Sequence, residues 1–418
     1  MKILVYPHAM ELGGSQLNAI ELAAAVRDLG HQVAIIGEDG PLSRRVEELG
    51  LERMAIPAQR RRPSPAVAKQ LRALVRQYDI DIIHGYEWPP ALDAVAAVFP
   101  NERAVAICTI MSMAVAPFLP GNMPLIVGTE ALRQHTARKR SGPTYLIEPP
   151  VDMKANTPGQ PVREFRDRFL GGTHQTIDIG VVCRLVPELK LEGVLTAVDV
   201  VGELGLRWPV RLVITGDGDA RDQVAQRAAA ANQRAGREVI VLTGELVDPR
   251  PAYDAADIML GMGGSALRAL AFGKPLVVQG EQGFWQLLTP DSVGLFLSQG
   301  WYGIGDGTGG AQRLRAILEP LIMDSALREN LGEYGRGLAL RRFSLERAAL
   351  LQEEIYRSAL ASRHTSAVRQ ATVGARSAVL LASHKVRRKV DRLRGTAKSD
   401  DMNAVTLAAE AMKDERRS

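Results

Sequence analysis

Apolar residues recur along the chain in two alternating rhythms, short unbroken runs and longer stripes with helical spacing. Ile3–Tyr6 is a run cut short by Pro7, and 15–29 carries apolar residues at 17, 20, 22, 26 and 29 before Gly30 stops it. Further strands are expected at 32–36, 54–56, 80–83, 105–110, 124–127 and 144–147, with helices at 41–49, 65–78, 90–99 and 130–141. Strands separated by helical segments predict βαβ units and a parallel sheet. Residues 149–175 break the alternation with Pro149-Pro150, Pro158-Gly159, Pro161 and Gly171-Gly172, which suits a domain boundary.

The alternation then restarts. Strands are expected at 178–182, 210–214, 238–242, 258–260 and 276–278. Helices are expected at 191–204, 220–235, 249–255, 265–272, 309–323, 324–340 and 345–360. The predicted class is α/β, with two Rossmann-like domains facing across a cleft. The first spans 1–150, the second 151–342, a helix at 343–360 follows, and 361–418 is a basic tail, helical or disordered. Open parallel sheets bind ligands beyond the carboxyl ends of their strands, so such a cleft would hold two ligands facing each other.

The most informative stretch is Ala255–Val278, read as strand, glycine-rich turn, short helix closed by Gly273, and a strand entered through Pro275. The first amides of a helix lack intrahelical partners and carry partial positive charge. Gly263 and Gly264, with Ser265 and Ala266 behind them, would let backbone approach an anion. The alternative is an ordinary βαβ turn without a ligand. Gly13-Gly14 ahead of Ser15 offers the same choice at the first strand. Arg184 and Lys190 follow the strand at 178–182 and could clamp a diphosphate, Arg with paired hydrogen bonds and Lys as a point charge, or stand solvated. Gly216-Asp217-Gly218 and Gly244-Glu245 end the next two strands. Neither Gly13-Gly14 nor Gly216-Asp217-Gly218 satisfies GxGxxG, which speaks against a nicotinamide or flavin enzyme.

Composition changes this picture little. The 418 residues are 46% hydrophobic and 24% charged, as in a globular protein. Cys108 and Cys183 give no disulfide framework and no metal-ligand spacing, and no apolar run approaches a membrane span. A cytoplasmic protein is expected. The net charge of +5 is unevenly placed: residues 361–418 hold 13 Lys and Arg against 6 Asp and Glu, and the rest holds 39 against 41. No basic face with motif support points to nucleic acid. In the tail, Val379, Ala382, Val386, Val390 and Leu393 form a stripe among Lys and Arg. It reads either as a helix in weak contact with anionic membrane or as a solvated helix.

Taken together, these segments resemble group 1 (family 4) glycosyltransferases. Gly13-Gly14-Ser15-Gln16, Leu29-Gly30-His31-Gln32-Val33 and Pro150-Val151-Asp152 are similar to that family's N-terminal half and junction. Arg184, Lys190, Gly216-Asp217-Gly218, Gly244, Ala256-Asp257 and Ala271-Phe272-Gly273-Lys274-Pro275 follow its C-terminal half in order. The resemblance covers roughly residues 1–360. It implies the GT-B architecture and transfer of a sugar from a nucleotide diphosphate donor, UDP or GDP in type, to an acceptor it does not identify. It further implies retention and no metal. Arg184 and Lys190 would neutralise the leaving diphosphate, the 263–266 turn would present amides to it, and Gly244-Glu245 would lie near the base. Gly13-Gly14 would face donor phosphate or acceptor.

Three positions depart from the family. Its paired glutamates would fall at Leu260 and Arg268, and arginine cannot accept hydrogen bonds from a ribose diol. Arg268 would instead add charge to the phosphate site or point to solvent. The family's N-terminal histidine would fall near Met111. His84, expected at the end of a strand, is the remaining catalytic or sugar-contacting candidate, with a structural role as the alternative. Glu87 and Glu281 at strand–loop edges read either as acids meeting sugar hydroxyls or as surface residues. Trp285 and Trp301 read as stacking platforms or as packing under a loop. Arg60-Arg61-Arg62 reads as a contact for an anionic acceptor or as a solvated loop. These departures keep open a second reading, a sugar-nucleotide-binding protein that retains the fold without turnover. A third, a sugar-nucleotide epimerase, needs paired carboxylates that the sequence does not place.

Overall fold

The computed structural model describes residues 1–58, 62–99, 103–171, 176–362 and 367–394, with backbone alone for 367–371. Arg60 and Arg61, and the tail beyond 394, lie outside the described residues. The chain forms two compact units, one of Met1–Pro150 with Leu345 onward and one of Val151–Ser344.

In the N-terminal unit, β1 (Lys2–Tyr6), α1 (Gly14–Asp28), β2 (Gln32–Gly37), α2 (Ser43–Glu48), β3 (Glu52–Ala55) and α3 (Pro65–Tyr78) come first. Then follow β4 (Ile82–Tyr86), α4 (Trp88–Val98), β5 (Val105–Ile110), β6 (Leu125–Val127), α5 (Glu130–Ala137) and β7 (Thr144–Leu146). The sheet order is β3-β2-β1-β4-β5-β6-β7, and every pairing is parallel. Local chemistry fixes the helix ends: Ser64 caps α3 ahead of Pro65, and Asp79 closes it in a left-handed turn. Strands buried on both faces need continuous apolar runs, and Ile3, Leu4, Ile35, Ile82, Ile83 and Ile107 supply them.

The C-terminal unit comprises α6 (Arg163–Phe169), β8 (Ile177–Val182), α7 (Leu191–Leu204), β9 (Val210–Thr215), α8 (Arg221–Ala235), β10 (Ile240–Gly244) and α9 (Arg250–Ala255). It continues through β11 (Ile258–Gly261), α10 (Gly264–Ala271), β12 (Leu276–Gln279), β13 (Trp285–Leu287), α11 (Val293–Gln299), α12 (Gly310–Met323) and α13 (Ser325–Arg342). The order β10-β9-β8-β11-β12-β13 repeats the doubly wound pattern. Only β13 runs antiparallel, against β12. Its core is built from Ile179, Val194, Val198, Leu212, Leu260 and Val277 among others.

Two helices return to the N-terminal unit. α14 (Leu345–Ala361) buries Ala348, Ala349, Ile355 and Tyr356 in the cluster formed by Ile3, Ile20, Ile35 and Ile82. α15 (Ala367–Leu393) is a continuous helix whose Leu380 and Leu381 pack beside Phe118 and Leu119. The tail was expected to be helical or disordered; its described part is helical and packs one face on the N-terminal unit.

Candidate functional site

A doubly wound sheet opens a crevice where strand order reverses, beyond the strands' carboxyl ends. In the C-terminal unit that point lies between β8 and β11. The chain leaves β8 through Cys183, Arg184 and Leu185, and leaves β11 through Met262, Gly263 and Gly264. Arg184 and Lys190 are therefore on the sheet edge that carries the glycine turn, and so are Gly216, Asp217, Gly244 and Glu245.

The glycines at the end of β9 explain how the Arg184 loop is held. Gly216 has φ 140, and a Cβ there would collide with the Cys183 carbonyl oxygen; Gly218 has φ 146, and a Cβ there would collide with the Leu185 carbonyl oxygen. That contact lets Leu185 N donate to Asp217 O at 2.8 Å and Ala220 N to Leu185 O at 2.9 Å. The Asp217 carboxylate accepts from Gly218 N at 2.7 Å, so it closes its own turn. Gly244 carries on the ladder by accepting from Gly216 N at 2.9 Å. Glu245 beyond it is exposed.

Lys190 is half-buried at the N-cap of α7. The preceding Leu189 has φ 65, a left-handed conformation that costs a branched residue about 1–3 kcal/mol. Burial lowers the lysine's pKa from its ordinary value; Cys183 opposes this and the nearby Arg184 adds to it. Among the described residues, neither Lys190 nor Arg184 has a carboxylate partner.

Across the switch point, Gly263 takes φ 54 and ψ −130, a conformation open essentially to glycine alone. Its N–H donates to Trp301 O at 2.7 Å. Ser265 Oγ accepts from Met262 N at 3.3 Å and donates to Met262 O at 3.0 Å, so this hydroxyl braces the turn. Ala266 is fully buried. No side chain caps α10 and no acid stands in its first turn. Arg268 folds back to that end, its Nη1 3.5 Å from where a Gly264 Cβ would sit. Buried Tyr253 lies within electrostatic reach of both Arg268 and Cys183. Leu260 is fully buried within β11, so that position faces core.

His84 is corrected by the structure. The sequence placed it at a strand end, but it sits inside β4, paired with Val5 on one side and Ile107 on the other. Its ring is fully buried. Nδ1 meets Tyr356 Oη and Nε2 meets Thr109 Oγ1, both at 2.7 Å. Both nitrogens are spent inside the protein, so the ring has no free atom for a substrate.

The N-terminal unit's own switch point, between β1 and β4, carries Gly13, Gly14 and a residue the sequence underrated. Glu87 is buried, with φ 67 and ψ 170. Its carboxylate accepts from Met111 N at 2.9 Å, Ser112 N at 3.2 Å and Ser112 Oγ at 2.8 Å. Ser15 Oγ, at the start of α1, donates to it at 3.4 Å. Burial raises the carboxyl's pKa and these bonds oppose the rise. α1 also begins without a capping side chain or an acid in its first turn. Only a strained backbone and four converging donors reveal Glu87's role, and neither is visible in sequence.

Other candidates resolve into packing. Trp301 stacks on Phe296 with centroids 5.3 Å apart, and Trp285 is buried. Glu281 accepts from Tyr302 Oη. Lys274 Nζ donates to Asp254 O at 2.8 Å, ahead of β12 on the opposite sheet edge.

Comparison with known proteins follows the same division. Residues 13–142 match the glycosyl transferase 4-like domain, and 176–300 match glycosyl transferases group 1. No curated protein matches the chain. Among solved structures, a glycosyltransferase from Rickettsia africae ESF-5 superposes with TM-score 0.69 at 17% identity, covering 86% of this chain and 99% of that one. Anabaena Alr3699/HepE in complex with UDP gives TM-score 0.67 at 18% identity, covering 86% and 100%. The catalytic domain of starch synthase IV from Arabidopsis thaliana, bound to ADP and acarbose, gives 0.62 at 13%, covering 86% and 99%. At these identities the likeness is one of fold, the two-domain GT-B architecture.

Proposed function

This chain belongs to the group 1 glycosyltransferases, and we propose that it transfers a sugar from a nucleoside diphosphate donor held at the β8–β11 switch point. One observation carries the reading: Arg268 folds back to the uncapped start of α10, on the same sheet edge as the loop after β8 where Arg184 lies within electrostatic reach of Lys190, and none of the three has a carboxylate partner among the described residues. Such a cluster is unfavourable until an anion arrives. A diphosphate would accept paired hydrogen bonds from the arginines, a point charge from Lys190 and the amides of 264–266.

In this reading the C-terminal unit stabilises the leaving diphosphate as the glycosidic bond breaks, an electrostatic form of catalysis. The charge is met by side chains and amides without a metal ion, and the sugar is transferred with retention. Gly244 and Glu245 stand toward the base, and Arg268 supplies phosphate charge where the family holds a ribose. Gly13, Gly14 and the 111–112 loop shaped by Glu87 form the acceptor side. The Anabaena neighbour's UDP makes uridine donors the first to try.

The test is nucleotide release from UDP-, GDP- and ADP-sugars, with and without EDTA, beside a panel of acceptors. Release that survives EDTA supports the proposal, and release abolished by EDTA removes its metal-free part. Leu260 and Arg268, in place of the family's glutamates, favour one other reading, a fold-retaining binder. Tight nucleotide binding without release from any donor would select it.

A further inference from the structure

The N-terminal unit contains a cavity of about 830 Å³ that the reading above does not use. It lies where β5, β6 and β7 begin, the sheet edge opposite the switch point. Val95 of α4 and Phe99 just beyond it, Ala106 and Met123 line it, and Ala378 and Leu381 of α15 form its roof. The volume is that of a small-molecule site, and the lining is mostly carbon, with Arg103, Asn122 and Tyr145 among its polar members.

The helix over this cavity has two unlike faces. Inward, Leu380 and Leu381 pack against the N-terminal unit, and the His384 ring lies 4.9 Å from that of Phe118. Outward, Val379, Val386, Val390 and Leu393 are 66%, 64%, 36% and 80% exposed, a stripe at helical spacing. Exposed Lys385, Arg387, Lys389 and Arg392 flank it, and Asp391 is the only acid in the helix. An apolar stripe bordered by cations is the pattern of a helix lying in an anionic membrane surface.

We propose that α15 and the cavity form a lipid-binding element, in which the helix rests on an anionic bilayer and one hydrocarbon chain of an anionic phospholipid enters the cavity beneath it. The cations meet the headgroup and its neighbours, each adding to the attraction. The cavity withdraws the chain from the bilayer and compensates for the lack of aromatic anchors on the outer stripe. This element belongs to the N-terminal unit and shares no residue with the donor site proposed on the C-terminal unit.

The test uses the full chain in two assays. In flotation, the protein should rise with vesicles of phosphatidylcholine containing phosphatidylglycerol and not with phosphatidylcholine alone. Lys385→Glu with Lys389→Glu should cut that binding by at least about tenfold while leaving nucleotide release in solution unchanged. In the second assay, cis-parinaric acid should bind saturably, and Ala378→Trp, which fills the cavity, should abolish its fluorescence gain and weaken flotation. Val386→Ser with Val390→Ser, at exposed positions on the outer face, should weaken flotation and spare the fatty-acid probe. Unchanged flotation in the charge-reversed protein, or unchanged probe binding in a folded Ala378→Trp protein, overturns the proposal. So does a dimer that the serine variant dissociates, since a second copy would then cover the stripe.

Discussion

His84 on β4 and Tyr356 on α14 stand 272 positions apart in the chain and share a 2.7 Å hydrogen bond. The bond ties the returning helix to the centre of the N-terminal sheet, and Thr109 holds the ring's other side. Burial lowers the imidazole pKa to about 3. An unfolded histidine titrates near 6.5, so between the two values the unfolded chain binds the extra proton. The sign follows: this contribution is intact above about pH 6.5 and is lost as pH falls toward 3, by at most about 1.4 kcal/mol per pH unit. Urea midpoints across that range should fall with acid, and His84→Gln should flatten the slope. An equal slope in the variant would assign the acid loss to other groups.

Glu87 organises the 111–112 loop through bonds that a neutral amide reproduces poorly. Glu87→Gln retains the shape but turns an amino group toward donors. It should cost about 1.5–3 kcal/mol, the range for hydrogen bonds to a charged group. Denaturant unfolding measures the loss; a change below about 0.5 kcal/mol, ordinary for a surface substitution, would mean the carboxylate holds nothing in place.

Gly216 sets the position of Arg184 without touching a ligand itself. In Gly216→Ala the new methyl meets the Cys183 carbonyl, and the loop between β8 and α7 must move. Nucleotide affinity should fall even though no cation is removed, and Ala at exposed Gly14, where nothing lies within 4 Å of a Cβ, should leave stability nearly unchanged. Equal stability and equal nucleotide affinity in Gly216→Ala would show that the close approach has no consequence.

Much of this fold is legible from apolar rhythm. Helices at 65–78 and 191–204 and the strand at 105–110 are found where the sequence puts them. The misses have physical causes. β4 runs three residues past the expected end because His84, Gly85 and Tyr86 break the apolar run. They are buried only because Thr109 and Tyr356, distant in sequence, satisfy them. Within the supposed linker, α6 forms around Phe165, which packs on Leu170, Val213 and Ala252, contacts no local pattern announces. The brief β13 strand exists through antiparallel pairing with β12. At the site, glycines and cations could be read from spacing, whereas the folded-back Arg268, the strained Leu189 and the buried Glu87 depend on tertiary geometry.

The central claim is that Arg184 and Lys190 grip a diphosphate at the C-terminal switch point, and calorimetric titration of UDP tests it most directly. Arg184→Ala and Lys190→Ala should each weaken binding by about 1.5–3 kcal/mol, roughly ten- to 150-fold, with folding intact. UDP affinity equal to the parent protein's in both variants would contradict the account.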